Sequence, residues 1–103
     1  MVKELSESDF DTFISKGDTV VDFYADWCGP CKMMEPHYKK AAEKFSKVKF
    51  AKVNVDKESD LAGRFNVMSI PTTIAFHDGE MVDSHTGGMG LEAIERLIKD
   101  NFS

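Results

Sequence analysis

The residues of this chain best equipped for chemistry are its two cysteines, which stand together in Cys28-Gly29-Pro30-Cys31. A thiolate is both nucleophile and leaving group, so two thiols held close can cycle between dithiol and disulfide. The spacing permits this. Residues three apart at the start of a helix are neighbours, and their Cα separation falls within the window that a disulfide tolerates. Cys28 would stand at the helix N-terminus, where unpaired N–H groups and the helix dipole favour a negative sulfur. Pro30 suits a first turn, whose N–H groups have no helical partners. Gly29 leaves room for another backbone to approach. Haem attachment would need a histidine after the second cysteine, where Lys32 stands. A zinc site would need a second ligand pair, and His37, His77 and His85 are scattered along the chain. An inert thiol pair is the plain alternative, although a bridge closing so short a loop adds little stability.

The elements that must position this pair are legible on both sides of it. Residues 19–25 are nearly continuously apolar, as in a strand buried on both faces of a parallel sheet. From about Pro30 to Phe45 the apolar stripe Met34, Tyr38, Ala41, Ala42, Phe45 predicts a helix, with Pro36 removing one ladder donor and kinking it. Asp22 is the anomaly of the strand. It is either a strand-end carboxylate in water or a buried proton acceptor raised by desolvation.

The rest of the chain alternates strand and helix signals, the mark of an α/β domain. Ser6 or Ser8 caps a first helix carrying Phe10, Phe13 and Ile14 on one face, and Gly17 ends it. Residues 48–55 form a second β run, followed by a short helix with Leu61, Ala62 and Phe65. Ile70-Pro71 precedes a strand at 72–76, and His77-Asp78-Gly79-Glu80 makes a hairpin into a partner strand at 80–85. Gly87, Gly88 and Gly90 form a loop before a last helix with Leu91, Ile94, Leu97 and Ile98. A further short strand at residues 2–5 is optional.

The length of 103 residues implies a single domain spanning 1–103, large enough for a core without staples. The net charge of −5 argues against nucleic acid as a partner. The N-terminus has no apolar signal region and no run is long enough to span a bilayer, so the expected location is cytoplasmic, away from the membrane.

Trp27-Cys28-Gly29-Pro30-Cys31-Lys32 resembles the signature of the thioredoxin family. The likeness continues through Val21-Asp22-Phe23, Lys52-Val53-Asn54-Val55-Asp56, Ile70-Pro71-Thr72, Phe76 with Gly79, and Gly87. It implies a thioredoxin fold: α/β, with a central mixed sheet of four to five strands flanked by about four helices. It further implies that Asp22 is a buried proton handler for Cys31, that Lys52 lies near it, and that the Ile70–Pro71 bond is cis with the proline against the dithiol. Trp27, Met68, Ile70 and Gly87 would then border a flat docking surface, and the backbone of Ile70 would pair with an extended substrate segment. As bare sequence, Lys52 reads equally as a charge snorkelling from a strand, Pro71 as an ordinary strand-initiating proline, and Met68 and Ile70 as core. Tyr24 replaces the second tryptophan of many relatives, and Met68-Ser69 and Gly88-Met89-Gly90 vary the docking surface.

The function implied is thiol–disulfide exchange that reduces protein disulfides. Cys28 attacks, Cys31 resolves, and Gly29 and Pro30 shape the turn between them. No cofactor is implied beyond the redox-active disulfide itself. The partners are disulfide-containing target proteins and a thioredoxin reductase, with the chain working as a monomer. Two other readings stay open at this point: a disulfide oxidase or isomerase, and a redox-sensitive binding module without turnover.

Overall fold

A computed structural model describes residues 1–102. Five strands, β1 (Val2–Glu4), β2 (Asp18–Tyr24), β3 (Lys49–Asn54), β4 (Thr72–His77) and β5 (Glu80–Thr86), form one sheet in the order β1-β3-β2-β4-β5. β1, β3 and β2 run parallel, and β4 and β5 join antiparallel. Four helices, α1 (Glu7–Ile14), α2 (Gly29–Lys44), α3 (Ser59–Arg64) and α4 (Leu91–Asn101), cover the two faces. This is the mixed α/β architecture expected from the sequence.

The pleat of β2 explains why its apolar run does not alternate. Val21 and Phe23 pack with Phe10 and Ile14 of α1 and Leu61 of α3, while Val20 packs with Met34, Tyr38 and Ala41 of α2 and Ile94 of α4. Both faces of the central strand are therefore dry, which rewards β-branched and aromatic residues at every position. Asp22 is on the same face as Val20, beneath α2.

Local signals fix the boundaries. Ser6 caps α1 in a capping box with Asp9, whose carboxylate accepts from the Ser6 N–H at 2.7 Å. The helix stops at Ile14, three residues before Gly17. The glycine instead takes a φ of 77° in the turn into β2. There its N–H donates to Asp78 Oδ1 at 2.7 Å and its carbonyl accepts from the Asp78 N–H at 2.9 Å. Asp78 and Gly79, both at positive φ, make the hairpin turn between β4 and β5. Helix α2 continues through Pro36. Pro36 has no N–H to donate to the carbonyl of Lys32 four residues before it, and Lys32 is exposed, where water can serve.

Tyr38 pins α2 to the sheet. Its buried hydroxyl lies 2.9 Å from the Val20 carbonyl and 2.7 Å from that of Ala51. Burial holds this phenol well above its usual titration range, so it is a donor at every working pH. Tyr38→Phe is expected to lower unfolding free energy by about 1–2 kcal/mol, read by denaturant titration, because the deletion forfeits a buried hydrogen bond without opening a cavity.

Candidate active site

The cysteine pair sits at the joint between β2 and α2. The Cys28 N–H donates to the Ala25 carbonyl at 3.2 Å, turning the chain out of the sheet. Cys28 is then the N-cap of α2, in extended conformation, and its Sγ accepts the Cys31 N–H at 3.2 Å. The Cys28 carbonyl accepts from Lys32 at 3.1 Å, so the first helical turn closes around the pair. The two Cα atoms are 5.3 Å apart and the sulfurs are bridged. Both residues are only 4% exposed. The N-cap geometry treats the two sulfurs unequally: a backbone N–H is aimed at Cys28 Sγ, the arrangement that stabilises a thiolate there.

The outer face is apolar and exposed. Trp27 is 70% exposed, Met68 86%, and Met33 also projects into solvent. Ile70 is half-buried against the cysteines, and its carbonyl oxygen lies 3.9 Å from Cys28 Sγ. The Ile70–Pro71 bond is cis, and Pro71 is buried. The Pro71 carbonyl accepts from the Gly87 N–H at 2.8 Å, with Gly87 at a φ of 107° that glycine adopts without strain. Ile70 thus lies against Cys28 from 42 residues away, and the chain after it carries Pro71, to which Gly87 is bonded. Met68, which bare sequence would place in a core, is in water.

Gly29 is exposed, and a Cβ built there would meet nothing within 4 Å inside the chain. One reading needs correction. Met89 does not vary the outer surface but turns inward, packing with Met34 and Ile94.

Behind the pair, Asp22 is 5% exposed, and its Oδ1 has no hydrogen-bond partner. Burial pushes the carboxyl up to about 7; the positive charge of Lys52 opposes the rise and the negative charge of Glu35 adds to it. A cavity of about 730 Å³ is lined by Asp22, Cys31, Glu35, Lys52 and Tyr24 among others. Cys31 borders this cavity and Cys28 does not. Lys52 stands directly across the ladder from Asp22.

Sequence reasoning missed several residues of this site. Asp56 Oδ2 accepts the Trp27 indole N–H at 2.9 Å and so orients the exposed ring. Asn54 shapes that loop, its Oδ1 accepting from the Asp56 N–H at 2.9 Å. Glu4 and Glu35 both reach Lys52. Asn54 and Asp56 stand in the stretch Lys52–Asp56 that carries the family resemblance, and Glu35 lies one helical turn after Cys31, but none of these signals gave them a role. His77 is bound to Asp18 at the hairpin end of β4, 2.7 Å away. Among the described residues no cluster of three or more His, Cys, Asp or Glu is placed to hold a metal ion.

Comparison with known proteins agrees with this geometry. A family model described as Thioredoxin matches residues 1–100. A thioredoxin of Chlamydia caviae is 41% identical over 101 residues, covering 98% of this chain and 99% of the relative. A thioredoxin of Bacillus subtilis is 36% identical over 102 residues, covering 98% of each. Among solved structures, Plasmodium falciparum thioredoxin superposes with a TM-score of 0.92 at 36% identity, covering 99% of this chain and 100% of that one. Mitochondrial thioredoxin 3 of Saccharomyces cerevisiae, in its oxidised form, gives 0.89 at 37% identity, covering 96% and 94%.

Proposed function

The chain belongs to the thioredoxin family and is a thiol–disulfide oxidoreductase that reduces protein disulfides, and on that premise we propose that Cys28 is the attacking sulfur, Cys31 the resolving one and Asp22 the proton acceptor. The redox group is the cysteine pair itself, and the family works with disulfide targets and a separate reductase.

In the proposed sequence, the Cys28 thiolate attacks one sulfur of a target disulfide. A mixed disulfide forms, and the other target sulfur leaves as a thiolate. The Asp22 carboxylate takes the proton of the Cys31 thiol. Cys31 then attacks Cys28 Sγ, the internal disulfide forms, and the second target sulfur departs and is protonated. The target gains two electrons and the dithiol loses two, which the reductase restores.

The single observation that carries this division of labour is the asymmetry of the pair. Cys28 Sγ receives the Cys31 N–H and faces Ile70, while Cys31 borders the cavity that contains Asp22. Trp27, Met68, Ile70, Pro71 and Gly87 form the proposed target surface, with Pro30 beside them and the Ile70 backbone offered to an extended segment. The exposed, unobstructed position of Gly29 keeps side-chain bulk away from an approaching target. Lys52 acts on Asp22 by its charge. The same reading gives a single domain, a monomeric working form and a reducing, cytoplasmic setting. No helix among the described residues is long and apolar enough to cross a membrane.

The test is turnover. With dithiothreitol as electron source, catalytic amounts of the chain are expected to accelerate reduction of insulin disulfides well above the rate with dithiothreitol alone. A rate equal to that background would refute the assignment.

A further inference from the structure

At the mouth of the cavity behind the cysteine pair, side chains from four elements meet. Lys52 of β3 extends its ammonium between Glu4 of β1, whose Oε1 is 3.8 Å away, and Glu35 of α2, whose Oε2 is 3.7 Å away. The ring centre of Tyr24, from β2, lies 5.0 Å from the same nitrogen. The Tyr24 hydroxyl donates to Glu4, with its two carboxylate oxygens at 2.8 and 2.9 Å. The Lys52 side chain is only 28% exposed, so this charge is partly sheltered from solvent and salt.

Glu4 and Asp22 both stand directly across the ladder from Lys52, on either side of it, yet among the described residues an ion pair joins Lys52 to Glu4 and none joins it to Asp22. A lysine has a flexible four-carbon stem and no fixed donor geometry, so it goes to whichever carboxylates hold it best. Here two half-exposed glutamates hold it, and the buried carboxyl is left with an unpaired oxygen.

We propose that Glu35 is a positioning residue for the resolving step: it draws the Lys52 ammonium to the cavity mouth, and by keeping that cation from pairing with Asp22 it keeps Asp22 basic enough to take the Cys31 proton. This deepens, and rests on, the reading of Asp22 as proton acceptor. A carboxylate paired with an ammonium is a weaker base, and proton transfer slows as the driving force falls. The negative charge of Glu35 also raises the Asp22 carboxyl directly, in the same direction.

The groups that line the cavity behind Asp22 include Met1, which carries the chain's terminal ammonium. Helix α2 presents Cys31, Glu35 and Tyr38, with Lys32, Lys39 and Glu43 farther along the cavity wall. β3 presents Lys52, β1 presents Glu4, and β2 presents Tyr24 followed by Asp26. β4 places Thr73, which does not titrate, opposite Asp22. Glu43 carries the same charge as Glu35 on the same helix and makes no ion pair with Lys52 among the described residues, so it is the natural control.

Titration of the Asp22 carboxyl in the reduced protein, followed by carbon-13 NMR, reads the proposal directly. In Glu35→Gln the midpoint is expected to fall by about half a unit to one unit, and in Glu43→Gln to stay in place. In a Lys52→Met background, Glu35→Gln is expected to move the midpoint far less. An unmoved midpoint in Glu35→Gln, an equal fall in Glu43→Gln, or an undiminished fall in the Lys52→Met background would each overturn it. The pH profile of mixed-disulfide resolution is expected to move with the titration. If the NMR midpoint moves and that profile does not, the assignment of Asp22 as acceptor fails, while the effect of Glu35 on Asp22 stands.

Discussion

Cys31→Ser accumulates as a covalent complex with a protein disulfide substrate, and Cys28→Ser forms none; both lose catalytic turnover to the uncatalysed background. This result is expected from the position of each sulfur. Cys28 is the N-cap of α2, where the Cys31 N–H is directed at its Sγ from 3.2 Å and the helix dipole adds to the same effect. A serine at position 31 keeps that backbone N–H, so the attacking thiolate is still stabilised and the first exchange proceeds. The mixed disulfide then has no internal nucleophile and persists. A serine at position 28 removes the stabilised sulfur and leaves Cys31 facing the inner cavity, away from targets. Non-reducing gel electrophoresis with a disulfide substrate separates the cases. Equal trapping by both variants, or trapping by Cys28→Ser alone, would show that the roles are assigned wrongly.

Asp22→Ala is expected to stabilise the oxidised protein by about 4 kcal/mol at pH 8 and to slow resolution by roughly 10²-fold. The stability follows from linkage. The folded carboxyl is raised from 3.8 to about 7, chiefly by burial. Each unit of such a shift is worth about 1.4 kcal/mol. A raised acid favours folding in its protonated form. That contribution is fully present below the unfolded value of 3.8 and is lost as pH climbs through about 7. At pH 8 the wild type therefore buries an ionised carboxylate whose Oδ1 has no hydrogen bond, and the alanine variant does not. The gain should shrink steadily between pH 7 and pH 4 and vanish below pH 3.8. Denaturant unfolding at pH 8, 6 and 4 measures the slope. A gain independent of pH would mean that packing, not ionisation, sets the difference. In single-turnover kinetics the first exchange should be nearly unchanged. Equal slowing of both steps would make Asp22 structural, and no slowing would remove it from the mechanism.

These two effects oppose each other at one residue. The group that weakens the fold at neutral pH is the group proposed to move the proton, because the burial that raises its basicity also makes its charge costly.

Much of this was legible in the chain. The doubly apolar run before Cys28 and the stripe after it gave β2 and α2 nearly to the residue, because a strand dry on both faces and a helix with one dry face leave distinct periodicities. Asp78-Gly79 gave the hairpin, because few residue pairs accept positive φ in succession. Gly17 misled, since its φ of 77° serves the turn into β2 and not the end of α1.

Residue types and short-range spacing were enough for the chemistry and its local frame. Two thiols three residues apart, at a helix start after a buried strand, fix the reaction class through covalent reach and the helix N-terminus, which are properties of neighbouring residues. Which distant residues complete the site depends on how the elements pack. Asp56 beneath Trp27, Ile70 against Cys28, and the hold of Glu4 and Glu35 on Lys52 arise because the ladder registers β1, β3 and β2 and because α2 crosses that edge of the sheet. Those contacts depend on packing across long sequence separations, for which a single chain of letters carries no periodic signal. The basicity of Asp22 belongs to the same class, being set by what covers it and by where a lysine on another strand is held.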